Sequence, residues 1–146
     1  MKNAVKLLPI LLLWILASCN SQKVYSDYDY SYSRNGGVNP VYENFLIKDG
    51  HGHYSYEANG KKTTKKVKIS TADLQKLEQA LTANNFRMIQ EDYKKLYDQV
   101  STSIRVKKGA NAASKSDASQ IMPQDQERWD NVVRVFQEIM NSKTGQ

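Results

Sequence analysis

Polar and apolar positions follow two different periods along this chain. Residues 41–69 read as strands, with the period of two plainest over residues 53–58. Phe45, Leu46 and Ile47 precede a turn-like Asp49-Gly50-His51-Gly52, and residues 53–58 place Tyr54 and Tyr56 on one face. Asn59-Gly60 predicts a two-residue type I′ hairpin. That turn pairs Ala58 with Lys61, Glu57 with Lys62, Tyr56 with Thr63 and Tyr54 with Lys65. Tyr54, Tyr56, Thr63 and Val67 then share the half-buried face, and Lys62, Lys66 and Lys68 point the other way.

The period changes at Ser70. Ser70 followed by Asp73 predicts a helix N-terminus, and Leu74, Leu77, Ala80 and Leu81 form one apolar stripe. Asn84 and Asn85 end it, and Phe86, Met88 and Ile89 return the chain to the core. Residues 91–100 carry Tyr93, Leu96 and Tyr97 at helix-like spacing, read as a short helix or a loop. Residues 101–107 alternate again, with Thr102, Ile104 and Val106 inward. Residues 109–119 read as a long polar hairpin loop, with a short strand to follow at 119–122. After Pro123 a helix is predicted over 125–141, burying Trp129, Val132, Val133, Phe136, Ile139 and Met140. The order strands, helix, strands, helix predicts an α+β domain: an antiparallel sheet with two helices packed on one face.

The start of the chain obeys neither period. Lys2 and Lys6 precede an apolar run over residues 7–16, interrupted only by Pro9. Ten residues are too few to span a bilayer, which takes about 20, and the layout is that of an export signal. The run ends in Leu16-Ala17-Ser18-Cys19, which resembles the bacterial lipobox. That resemblance implies a signal peptide over 1–18, cleavage before Cys19 and lipidation, including palmitate, at Cys19. Asn20, in place of an inner-membrane retention Asp, implies the outer membrane, and the absence of an acidic run after it favours the periplasmic face. Two or more acyl chains make such anchoring stable.

Composition narrows the picture further. The 146 residues carry 21 Lys+Arg against 15 Asp+Glu, net +6; loss of Lys2 and Lys6 leaves 19 against 15, net +4. The one cysteine excludes a disulfide framework within the chain and any multi-cysteine metal site. Residues 19–40 are rich in Ser, Asp, Asn, Gly and Tyr and read as a flexible tether, with a short edge strand around Tyr28 and Tyr30 as the alternative. A single domain over 41–143 and a tail over 144–146 complete the division.

Gly52 with Tyr54 and Tyr56, the Ser70-capped helix with Phe86 beyond it, Ser103-Ile104-Arg105-Val106, and the helix after Pro123 form a succession. It resembles a family of small uncharacterised bacterial envelope lipoprotein domains. The resemblance spans residues 45–140 and implies the same fold, with no activity to carry over.

Few residues suggest chemistry. His51 and His53 project to one face of a strand and, with Asp49, are the candidate metal ligands; they fall short of the four a structural zinc needs. Lys62, Lys66 and Lys68 are a candidate contact for an anionic surface, or a guard against strand pairing at a sheet edge. There is no G-x-S-x-G, no phosphate loop and no dinucleotide-binding glycine pattern. These readings predict a monomeric, non-catalytic interaction module, without cofactor, attached to the membrane by its lipid. Its expected partner is an envelope protein or an anionic polymer rather than nucleic acid. The alternative is an inhibitor or immunity-type protein acting on an envelope enzyme.

Overall fold

The computed structural model describes residues 27–94 and 96–146; the apolar run, the lipobox and Cys19 lie outside them. Six strands form one antiparallel sheet: β1 (Tyr30–Gly36), β2 (Val41–Lys48), β3 (His51–Ala58), β4 (Lys61–Lys68), β5 (Val100–Val106) and β6 (Ala113–Ser116). Their order across the sheet is β4-β3-β2-β1-β5-β6. Helices α1 (Thr71–Ala83) and α2 (Gln126–Thr144) complete the α+β fold.

The core lies between the helices and one face of the sheet. Tyr32, Phe45, Ile47, Tyr54, Ile104 and Val106 alternate inward from the strands and meet Leu77, Leu81, Trp129, Val132, Phe136 and Ile139 from the helices. Tyr32 and Phe136 stack with ring centroids 5.9 Å apart. Inside this core Glu43 is buried, ion-paired to Arg34 at 3.3 Å and accepting the Tyr54 hydroxyl at 3.0 Å. Burial pushes the Tyr32 and Tyr54 hydroxyls up to about 12, so both stay neutral, and the Tyr32 hydroxyl accepts the Gln137 amide at 3.0 Å.

Three boundaries differ from the sequence reading. Residues 30–40 are not tether: β1 is a central strand, bonded to β2 on one side and β5 on the other. Its Tyr30 and Tyr32 face the core and its Ser31 and Ser33 face away, so a segment of polar composition supplies the middle of the sheet. The loop predicted over 109–119 contains β6, held by Ser103↔Ser116 through Val106↔Ala113; the strand expected at 119–122 is only a bridge between Ile121 and Glu91. The tail begins later than 144, because α2 extends to a buried Thr144, and Gln146 donates to the Tyr54 hydroxyl at 2.9 Å. Within α2 the buried stripe also takes in Val135, while Val133 is only partly covered. Residues 91–99 form an irregular crossing in the described positions, with left-handed backbone at Tyr93 and Asp98.

Candidate functional site

Because both helices lie on one side, the described residues place no layer over the other face of the sheet. Register places Lys62, Lys66 and Lys68 together on this outer face, opposite Glu57, His53 and His51 respectively. The hairpin that fixes them turns through left-handed Asn59 and Gly60, the geometry a type I′ turn requires. Lys65 falls on the helix side, where its ammonium donates to the Thr144 carbonyl at the end of α2. That is the end of a helix where the backbone dipole favours a cation.

The two histidines do share the outer face, but they stand beside lysines rather than carboxylates. Burial, and the charges of Lys66 and Lys62, hold the His53 imidazole below its ordinary value, which favours its neutral form. His51 Nδ1 lies 3.0 Å from the Asp49 carbonyl. The Asp49 carboxylate turns away, to Lys108 at 3.6 Å and Lys48 at 4.0 Å. No three groups of metal-ligating type come together among the described residues, so Asp49, His51 and His53 are not assembled into a site.

Sequence reasoning overlooked Asp29, which is buried where the chain enters β1. Its Oδ1 lies 2.8 Å from the Lys108 ammonium and 3.6 Å from that of Lys48, and Oδ2 accepts the Asp49 N–H at 3.2 Å. Burial alone would raise this carboxyl. The Lys108 and Asp49 bonds and the two ammonium charges outweigh it and hold Asp29 below its usual value. The network ties the start of β1 to the β2–β3 turn and to the chain leaving β5, and Lys107 adds its ammonium 3.9 Å over the Tyr28 ring. No sequence period marks it, because the three segments it joins lie 19 residues or more apart.

Two hollows indent the outer face. The larger, about 410 Å³, crosses β1, β5 and β6 and is lined by Ser31, Ser33, Ser103, Ser114, Ser116, Arg105 and Tyr28. Register assembles it: Ser31 pairs with Arg105 and Arg105 with Ser114, while Ser33 pairs with Ser103 and Ser103 with Ser116. Ser103 and Ser116 bond each other at 2.8 Å, and among the described residues Arg105 reaches only the Tyr28 hydroxyl, at 3.4 Å. The smaller hollow, about 220 Å³, crosses β2, β3 and β4 over a floor of Leu46, with Lys48, His51, His53 and Lys66 around it. Among the described residues no carboxylate lines either hollow.

A third groove, about 510 Å³, lies between the irregular crossing and the start of α2, lined in part by Leu96, Val100, Ile121 and Asp117. Asp117 is fully used there, accepting the Thr102 N–H at 2.5 Å and the Trp129 indole N–H at 3.3 Å. Asp125 likewise accepts the Gln90 N–H at 2.8 Å and pairs with Arg128. Both carboxylates brace the fold, tying the chain before α2 to β5, to Gln90 and to the first turns of α2. The crossing itself exposes Tyr93, Leu96 and Tyr97, and the β1–β2 turn exposes Val38. Set beside known proteins, the chain matches no family model and no curated sequence.

Proposed function

We propose that this protein is a lipid-anchored, non-catalytic binding module of a bacterial cell envelope, held by Cys19 at the periplasmic face of the outer membrane. The location rests on the Leu16-Ala17-Ser18-Cys19 sequence and on Asn20 after it. The binding role rests on one observation: six strands and two helices bury a complete core on one face and leave the other polar, indented and basic. Seven residues lie between Cys19 and Asp27, eight steps along the chain, so the described domain begins within about 29 Å of the anchor even with that segment fully extended. Ligands would be met at the membrane surface, where an exported chain encounters little nucleic acid.

A second reading, an inhibitor or immunity-type protein acting on an envelope enzyme, draws on a different feature. Tyr93 and Tyr97 are each about four-fifths exposed on the irregular crossing, and Tyr93 holds a left-handed backbone. A loop that displays aromatic side chains is the kind of surface that enters an enzyme cleft.

The test is metabolic labelling with radioactive palmitate in the producing bacterium, followed by membrane fractionation. The native chain should carry label and sediment with the outer membrane; Cys19→Ala should carry none and leave that fraction. Label persisting in Cys19→Ala would overturn the anchor.

A further inference from the structure

We propose that the outer face of the sheet binds an acidic polysaccharide, lying across the strands from Lys66 on β4 to Arg105 on β5. This assignment rests on reading the domain as a binding module, and it names the class of ligand.

The register carries the argument. One cross-strand row runs Lys66–His53–Leu46–Ser31–Arg105–Ser114, with all six side chains on the outer face. The smaller hollow sits at the Lys66 end and the larger at the Arg105 end. Four strand steps separate the two cations, about 19 Å at a spacing of about 4.8 Å per step. A single small anion cannot reach both, whereas a chain with repeated negative charges can. Among the described residues neither Lys66 nor Arg105 has a carboxylate within ion-pair distance, so both charges are available to a ligand.

The floor identifies the polymer. In the larger hollow Ser31, Ser33 and Ser114 make no side-chain hydrogen bond within the described residues, and each hydroxyl can both donate and accept. Its volume lies within the range of about 300–1,000 Å³ usual for small-ligand clefts. The Tyr28 ring forms a wall. A sugar ring offers the matching set: hydroxyls for the serines, a carboxylate or phosphate for Arg105, and a C–H face for the tyrosine. A protein partner would want an apolar centre, and the only large apolar side chain in the row, Leu46, is already buried. A lipid bilayer is flat and would leave both hollows unfilled.

The experiment uses the full chain, purified in mild detergent and titrated with sodium polygalacturonate at low and high salt. Neutral dextran is the control for sugar alone, and phosphatidylglycerol vesicles for anionic lipid. Polygalacturonate should bind and weaken with salt, and dextran should not bind. Arg105→Gln and Lys66→Gln should each weaken binding about fivefold, the equivalent of about 1 kcal/mol per cation. Lys61→Gln, which removes the same charge on the helix side of β4, should leave it unchanged. Melting curves establish that each variant is folded, and because the two cations stand on strands four positions apart, either variant alone is informative. Three results would overturn the assignment: no polygalacturonate binding, an equal loss with Lys61→Gln, or binding to the vesicles alone. Should the glycan fail while palmitate still labels Cys19, this ligand falls and the tethered module remains.

Discussion

Lys143, in the last turn of α2, holds its ammonium 2.8 Å from the carboxylate of Asp73, in the first turn of α1. Asp73 also closes a capping box: its carboxylate accepts the Ser70 N–H at 2.8 Å, and the Ser70 hydroxyl accepts the Asp73 N–H at 3.1 Å. One side chain therefore starts the first helix and clamps it to the second.

Burial by itself would raise the Asp73 carboxyl, but Lys143 and Ser70 outweigh it and bring the value down from 3.8 to about 2. A carboxyl lowered in the folded state contributes stability above its unfolded value, lost as the pH falls from about 4 toward 2. Asp73→Ala should then cost about 1–2 kcal/mol at neutral pH, a range that allows for solvent screening of the pair. Near pH 2 most of the difference should vanish, because the native side chain is itself becoming protonated. Urea midpoints for both proteins at the two pH values measure this. A gap of equal size at both would mean that neither the cap nor the clamp depends on the charge.

Gly52 offers a test in which two rules give opposite signs. Strand propensity says that Ala should outperform Gly within β3. Packing says otherwise: a Cβ at residue 52 would lie 2.6 Å from Val67 Cγ2, 3.0 Å from Ile69 Cδ1 and 3.1 Å from Phe45 Cε2. We expect packing to win, with Gly52→Ala destabilising by about 1–3 kcal/mol. Trimming the opposing side chain in a Gly52→Ala, Val67→Ala double variant should recover part of the loss. Thermal melts of the two variants decide the matter, and a higher melting temperature for Gly52→Ala alone would show that this corner of the core is loosely filled.

What could be read from the sequence was local, and what could not was long-range. The Asn59-Gly60 turn sets the β3–β4 register by itself, so the pairing of Tyr56 with Thr63 and of Glu57 with Lys62 follows from neighbouring residues. The capping box at Ser70 and the stripe through Trp129 and Phe136 are likewise written in adjacent turns. β1 was hidden because its composition is that of a linker. The usable signal was its period, Tyr30 and Tyr32 inward against Ser31 and Ser33 outward, and its stability comes from ladders to β2 and β5 that no local pattern reveals. β6 has four residues, Ala-Ser-Lys-Ser, and is a strand only because β5 is beside it. The candidate site divides in the same way. The shared face of Lys62, Lys66 and Lys68 was legible from one hairpin. The serine-lined hollow exists only once β1, β5 and β6 are neighbours, which joins residues some 70 positions apart.

The lysines of β4 have a second role that can be separated from ligand binding. β4 is one edge of the sheet, eight residues long, and offers unpaired backbone groups to any passing strand. The other edge, β6, has only four residues and is blunted by its length. Charged side chains discourage strand addition because pairing would bury them, an effect that does not depend on their sign. Glycan binding does depend on sign. Replacing Lys62, Lys66 and Lys68 with Thr should therefore produce concentration-dependent self-association in sedimentation velocity, since Thr suits an edge strand and carries no charge. Replacing the same three with Glu should leave the protein monomeric and abolish polygalacturonate binding. If the Thr variant stays monomeric at every concentration, edge protection lies elsewhere in β4, in Lys61 and Lys65 on the helix side. If the Glu variant still binds the polyuronate, the lysines are guards alone, and the acidic chain does not reach the β4 end of the face.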